Sequence, residues 1–305
     1  MTTAPNESVC VCIAAYNAEG TIARAIASAL RQASVTEVIV VDDASTDATA
    51  ETARRCDDGS RRLSVIVLER NAGPAAARNA ALAQSRAAMV CVLDSDDYFL
   101  PDRIRRLLAA DHGDWDFLAD DILIVPEDLA GPDAEQWTED PPRAAIELDV
   151  RTFVLSNVSD RRRPRAELGF LKPLIRRRFL DAHGLRYDPQ LRLGEDYALY
   201  VRALMAGARF KVVGFHGYVA VERAGSLSGA HRAADLAAIR AFDAACAGAP
   251  GLSEAERDAL AVHLQATTDK WALARMLEIR REQGVGPALR FLAQQRRSAP
   301  YVASG

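Results

Sequence analysis

From Val9 the chain alternates between short apolar runs and stretches in which apolar residues return every three or four positions. The runs Val9–Ala15, Glu37–Val41, Leu63–Leu68 and Val90–Leu93 are bounded by polar residues and too short for helices, so they predict buried strands. Ile22, Ala25, Ile26, Ala29 and Leu30 share one face of a helix that packs on a sheet. The turn Asp42–Asp47 can cap a helix over Ala48–Arg55, and Pro74 suits the first turn of a helix reaching about Arg86. Pro101 opens a further helical pattern. Alternation of this kind predicts an α/β layer fold, a mostly parallel Rossmann-like sheet flanked by helices.

Beyond residue 115 the pattern is less even. Asp116–Val125 is strand-like, and the acidic, proline-bearing Pro126–Pro142 predicts a loop. Arg176–His183 is helical and stops at Gly184; Gly194-Glu195-Asp196 opens a helix Tyr197–Ala206 closed by Gly207. Arg209–Val213 and Tyr218–Glu222 predict two strands. From His231 to Arg297 the pattern is helical, broken near Gly248–Gly251 and Gly284–Pro287. The expected organisation is an α/β domain over residues 1–230 and a C-terminal helical extension over 231–305. No repeat of solenoid length is visible.

Polar clusters follow the predicted strands: Tyr16-Asn17, Asp42-Asp43, Asn71–Arg78 and Asp94–Asp97. In a parallel sheet these loops gather on one edge, where ligands bind. The densest cluster is the VLDSDDYFLPD stretch, in which a buried strand stops at Asp94, Asp96 and Asp97. If the chain stays extended, Asp94 and Asp96 point the same way. Carboxylates so crowded repel unless a cation joins them, and their oxygens suit Mg²⁺ or Mn²⁺ shared with phosphates. The plainer interpretation is a solvated turn that caps the next helix.

Composition narrows the partners. The chain has 305 residues, 49% hydrophobic and 26% charged, as in ordinary globular proteins. A net charge of −4 speaks against nucleic-acid binding through bulk charge. Cys10, Cys12, Cys56, Cys91 and Cys246 lack metal spacing and predict small buried hydrophobes in a reducing compartment. Neither a signal peptide nor a membrane-spanning run is evident. The cytoplasm is the expected compartment, with peripheral contact at the inner face of the membrane as a further expectation. No G-x-G-x-x-G follows the first strand and no Walker A sequence occurs, which counts against dinucleotide and P-loop enzymes.

Five segments in order, IAAYNAEGTI, VIVVDDASTDAT, RNAGPAAARNAAL, VLDSDDYFLPDRI and GEDYALYVRAL, make Val9 to Ser228 resemble the family-2 glycosyltransferases of the GT-A fold. The likeness is greatest to bacterial enzymes of exopolysaccharide and surface-polysaccharide assembly. The resemblance implies a nucleotide-diphosphate sugar donor with uridine favoured, a divalent cation (Mn²⁺ or Mg²⁺), and inversion at the anomeric carbon. It implies as acceptor a hydroxyl of a glycan or polyprenyl-diphosphate-linked oligosaccharide. By the same match Tyr16 stacks on the base, with Ala14 and Asn17 beside it; Ala14 departs from the proline often found there. Asp43 meets the base and Arg78 lies near base or phosphates. Asp94, with Ser95, faces ribose or metal, Asp96 binds the metal, and Asp97 completes the acidic motif. Asp196 matches the catalytic base, and His216 is a candidate third metal ligand.

The chemistry asks for these residue types on its own terms. A leaving nucleoside diphosphate gathers negative charge, which a cation offsets, and the attacking hydroxyl must give its proton to a base. A single in-line displacement needs no covalent nucleophile. The plainer interpretation of Glu195-Asp196 is that they complement a helix dipole. Arg161–Arg165 is a solvated basic run or a contact for a phosphorylated lipid or the membrane face. Arg223–Ser228 is a surface loop or one that closes over the diphosphate. Leu260, Leu264, Thr267, Trp271, Ala274 and Leu277 lie at helical spacing, which predicts a helix packed on the domain or on a second copy in a homodimer. A non-catalytic scaffold of the same fold, or another nucleotide-using α/β transferase, is the alternative; retention of Asp94, Asp96 and Asp196 argues against the scaffold.

Overall fold

A computed structural model describes residues 8–110, 114–130, 143–158, 168–222, 232–295, 298 and 301. The runs Arg161–Arg165 and Arg223–Ser228, and residues 131–142 of the expected loop, lie outside the described residues. Two compact units form: Met1–Leu148, Leu171–Pro189 and Arg202–Ala224 make the first, and Asp149–Phe170, Gln190–Val201 and Gly225–Gly305 the second.

The first unit begins as predicted. β1 (Val9–Ala15), α1 (Ile22–Leu30), β2 (Val35–Asp42), α2 (Thr49–Arg55), β3 (Leu63–Val67), α3 (Pro74–Gln84) and β4 (Met89–Val92) alternate. β3, β2, β1 and β4 lie side by side and parallel. The apolar stripe of α1 is buried against this sheet, and each fully buried Ile or Leu there contributes roughly 1.5–3 kcal/mol. The sheet then continues: after α4 (Arg103–Ala110) comes β6 (Phe117–Pro126), the strand expected over Asp116–Val125, whereas β5 (Tyr98–Phe99), β7 (Arg143–Leu148) and β8 (Leu174–Arg176) are too short or too irregular to read in advance. β8 inserts antiparallel between β4 and β6. Arg176, expected in a helix, ends this strand, and α6 (Arg177–Ala182) starts after it.

The two strands expected on either side of GFHG are one, β9 (Phe210–Glu222), parallel to β6. Its glycines mark an irregularity and not a break: the register shifts where Asp120, Asp121 and Ile122 meet Val213, His216 and Tyr218. At Gly217 an added Cβ would lie 2.5 Å from Asp120 Oδ2 and 2.6 Å from Arg103 Cγ. Only glycine lets the strand approach the buried side chains beneath it.

The second unit holds α5 (Val150–Ser156), the start of α7 (Glu195–Met205), and α8 (Ala233–Ala247), α9 (Glu254–Gln283) and α10 (Val285–Gln294). α9 opens on a capping box between Ser253 and Glu256 and packs with α5, α8 and α10. A buried polar group lies within this unit: Asp243 accepts from Tyr197 Oη at 3.0 Å and pairs with His263 Nδ1 at 2.7 Å. Among the described residues no helix is long and apolar enough to cross a membrane.

Candidate active site

The carboxyl ends of β1, β2 and β4 lie on one edge because the three strands are adjacent and parallel. Hydrogen bonds knit their loops. Asn17, at φ 50°, accepts from Thr46 N–H at 2.9 Å through its side-chain oxygen, and its own N–H donates to Ser45 Oγ at 2.9 Å. Asp42 is buried and receives the Ser45 hydroxyl and N–H. Asp43, also buried, accepts from Ala72 N–H at 2.7 Å and Gly73 N–H at 2.8 Å, tying the turn after β2 to the loop before α3. Asn17 and Asp43 therefore shape the edge whatever else they meet. Tyr16 is 49% exposed there, and Ala14 is half-buried, paired with Val41.

The acidic motif is a turn and does not stay extended. β4 ends at Val92, and Asp97 N–H donates to Asp94 O at 3.1 Å, so residues 94–97 close a turn. Strand alternation no longer aligns Asp94 with Asp96. The turn is held from several sides. Arg24 donates to the Asp96 carbonyl at 2.7 Å; Asp94 N–H donates to Tyr218 Oη at 3.1 Å. Tyr218 in turn donates to Asp97 Oδ2 at 2.7 Å, and Val221 N–H donates to Asp97 Oδ1 at 2.9 Å.

The acids of the turn have different electrostatics. Burial would raise Asp94, but Lys172 and Arg78 hold it down to about 2. Lys172 Nζ lies 3.0 Å from Oδ2 and Arg78 Nη2 lies 2.8 Å from Oδ1. Asp97 is pushed up to about 7 by burial and then by Asp94 and Asp96, so it is a structural acid that keeps its proton below neutrality. Ser95 and Asp96 are half-buried on the turn. Asp96 offers the hard oxygen donors that Mg²⁺ and Mn²⁺ take, and a site of one or two carboxylates completed by phosphates is usual for Mg²⁺. Among the described residues no three His, Cys, Asp or Glu side chains converge as a metal cage. His216 stands at the β9 irregularity opposite Asp121, its Nδ1 buried without a hydrogen-bond partner among the described residues.

Arg78 is buried on α3 with its guanidinium 5.4 Å from the Tyr187 ring centre. Asn79 fixes that segment, donating to Tyr187 O at 2.7 Å and accepting from Tyr187 N–H at 3.0 Å. Asp196 belongs to the second unit, in the first turn of α7, and is 6% exposed. A carboxylate that merely complements a helix dipole is ordinarily solvated, so its burial sets it apart. Cys10, Cys12, Cys91 and Cys246 are buried as expected while Cys56 is half-buried, and burial pushes Cys91 up to about 12, far from a thiolate nucleophile.

Sequence reasoning missed Lys172 and Tyr218. Tyr218 lies in a predicted strand without a distinguishing sign. Lys172 carried one: it is among only three lysines, with Lys211 and Lys270, in a chain whose positive charge is otherwise arginine.

Comparison with known proteins bears on the family and the fold. The sequence model of glycosyl transferase family 2 matches residues 10–128, from β1 into the segment after β6. The chain is 44% identical over 305 residues to the succinoglycan biosynthesis protein ExoU of Rhizobium meliloti (strain 1021), covering 100% of this chain and 88% of that protein. To ExoO, a succinoglycan biosynthesis protein of the same organism, it is 41% identical over 235 residues, covering 76% and 66%. The structure of S. aureus TarS 1–349 in complex with UDP-GlcNAc matches with a TM-score of 0.66 at 24% identity, over 94% of this chain and 80% of that one. The mannosyltransferase PcManGT from Pyrobaculum calidifontis, in complex with GDP-Man and Mn²⁺, matches with a TM-score of 0.54 at 19% identity, over 97% and 81%. These structures share the fold; the relationship itself rests on the match to ExoU over the whole of this chain and on the family model over residues 10–128. The chain belongs to glycosyl transferase family 2 and is a glycosyltransferase.

Proposed function

We propose that the chain is an inverting, metal-dependent glycosyltransferase of exopolysaccharide or surface-polysaccharide assembly. It moves a sugar from a nucleotide-diphosphate donor, with uridine favoured, to a hydroxyl of a glycan or polyprenyl-diphosphate-linked acceptor. The observation that carries this reading is the turn after β4. It presents Asp94, ionised and held by two buried cations, beside Asp96 on the ligand-binding edge of the parallel sheet. The relatives ExoU and ExoO, named for succinoglycan biosynthesis, support the polysaccharide context.

In this reading Tyr16 stacks on the base and Asp43 lies at its edge. Asp94 and Ser95 meet the ribose, and Arg78 braces Asp94. Asp96 would hold a divalent cation, which would supply positive charge to offset that of the leaving diphosphate. Asp196 accepts the proton of the acceptor hydroxyl as that oxygen attacks the anomeric carbon and the bond to the diphosphate breaks. One displacement inverts the centre. We assign no step to His216.

The test is a thermal-denaturation panel of UDP-, GDP- and other nucleotide sugars with and without Mn²⁺. A donor at 100 times its Kd adds about 2.7 kcal/mol of stability, an upward shift of several degrees in a chain of this kind. The expected result is a shift with one base class, seen only when Mn²⁺ is present. Absence of any shift across the panel would reject the reading.

A further inference from the structure

Asp94 is one-third exposed, yet each of its oxygens already meets a buried cation: the Arg78 and Lys172 side chains are 4% and 6% exposed. Cations so placed have little water to turn to, so the contacts are not the interchangeable pairs of a protein surface. Their backbone is fixed as well. The Lys172 carbonyl accepts from Arg103 Nη2 at 2.6 Å. Arg103 is sealed in an ion pair with Asp120, both side chains 0% exposed, and lies 4.6 Å from the Phe99 ring centre and 5.4 Å from that of Tyr218. Tyr218 receives the Asp94 N–H. Lys172 and Asp94 thus hang on the same buried frame, one through its carbonyl and the other through its amide.

A carboxylate with a cation on each oxygen is a poor ligand for another cation, because the incoming charge meets two like charges. Among the described residues no third His, Cys, Asp or Glu joins Asp94 and Asp96 in a metal-binding group. We propose that Lys172 is a positioning residue which, with Arg78, clamps Asp94, so that the donor-site cation is not retained by the protein alone but enters together with the donor's diphosphate. The clamp also keeps Asp94 aimed to accept a hydrogen bond from the donor. This inference rests on the nucleotide-sugar reading above.

The experiment uses the full chain as wild type, Lys172→Met and Lys172→Arg. Mn²⁺ affinity is read by electron paramagnetic resonance without nucleotide and with UDP or GDP, and nucleotide affinity by calorimetry at saturating Mn²⁺. In wild type, Mn²⁺ should bind at least about tenfold more tightly when the nucleotide is present, as phosphate oxygens complete its shell. Lys172→Met should bind Mn²⁺ alone about tenfold more tightly than wild type, the size expected for removing one nearby positive charge at the effective dielectric of a protein. Its nucleotide affinity should fall about tenfold, the lower end for losing an outer-shell partner. Lys172→Arg should restore both. Opposite signs on the two affinities distinguish positioning from a structural role, which would weaken both. If Lys172→Met does not fold, the wild-type measurement still decides: equal Mn²⁺ affinity with and without nucleotide overturns the proposal. If neither UDP nor GDP binds at any Mn²⁺ concentration, the nucleotide-sugar reading fails and this inference with it. If a nucleotide binds but Mn²⁺ needs no nucleotide, only the clamp fails.

Discussion

Two acid–base pairs stand on the same buried frame and differ in one respect. Arg103 and Asp120 are both 0% exposed and bonded at several atoms, and the pair faces only protein. Lys172 and Asp94 are joined by a similar contact, but Asp94 keeps a third of its surface open. The first pair has nothing to offer a ligand and holds α4, β6 and the β8 approach together. The second uses the same chemistry on a carboxylate that solvent can reach, the one the proposed function assigns to the donor. Buried charge is weak evidence of function by itself. One opened face on an otherwise sealed array is what separates the site from the scaffold.

Breaking the sealed pair should have the largest effect. Asp120→Asn leaves Arg103 charged and uncompensated, and should cost about 3–5 kcal/mol of stability in urea denaturation. Nucleotide affinity per folded molecule should change little. A folded, undiminished Asp120→Asn would place the scaffold elsewhere. Asp96→Ala should do the reverse. Its stability should stay within about 0.5 kcal/mol of wild type, as for other changes away from the core. Its Mn²⁺-dependent nucleotide affinity should fall about 10–100-fold, measured by calorimetry. Unchanged affinity would remove Asp96 from the cation site.

A pH-dependent effect sharpens the boundary between the two arrays, where Asp97 receives the Tyr218 hydroxyl. Folded Asp97 titrates at about 7 because of burial and its acidic neighbours, whereas an unfolded aspartate titrates near 3.9. The folded state binds the extra proton between those values. The associated stability is full below about pH 4 and is lost as pH rises through about 7. Asp94, held down to about 2, acts in the opposite sense and in a separate window: its contribution is present above about pH 4 and is lost as pH falls through about 2. The stability advantage of wild type over Asp97→Asn should therefore shrink from pH 5 to about pH 7 and then level off. A constant difference would mean that Asp97 is ionised throughout.

The same contrast explains how much could be read from the residues. β1 to β4 and their helices were legible because unbroken apolar runs and a period of 3.6 leave few alternatives. The edge at which Asn17, Asp43, Arg78 and Asp94 gather followed from adjacent parallel strands. β5 and β8 were not legible: two and three residues cannot establish a period. β9 reads as two strands because glycine reads as punctuation, while Gly217 lies against Arg103 and Asp120 at a register shift. Whether the acidic motif stays extended or turns is specified from elsewhere. Tyr218, 124 positions along the chain, takes the Asp94 amide, and Arg24, 72 positions back from Asp96, takes its carbonyl. Lys172 reaches Asp94 in the same non-local way, and no local pattern foretells such a contact.

The central claim is that this glycosyltransferase uses Asp196 as its base while the β4 turn holds the donor. Its most direct test is Asp196→Asn, assayed for donor affinity and for turnover with a working acceptor. The amide keeps the shape of the buried side chain but cannot take the acceptor's proton, so kcat should fall about 10²–10⁴-fold with donor affinity nearly unchanged. Near-normal turnover in a folded Asp196→Asn would contradict the account and leave Asp196 as no more than a charge at a helix start.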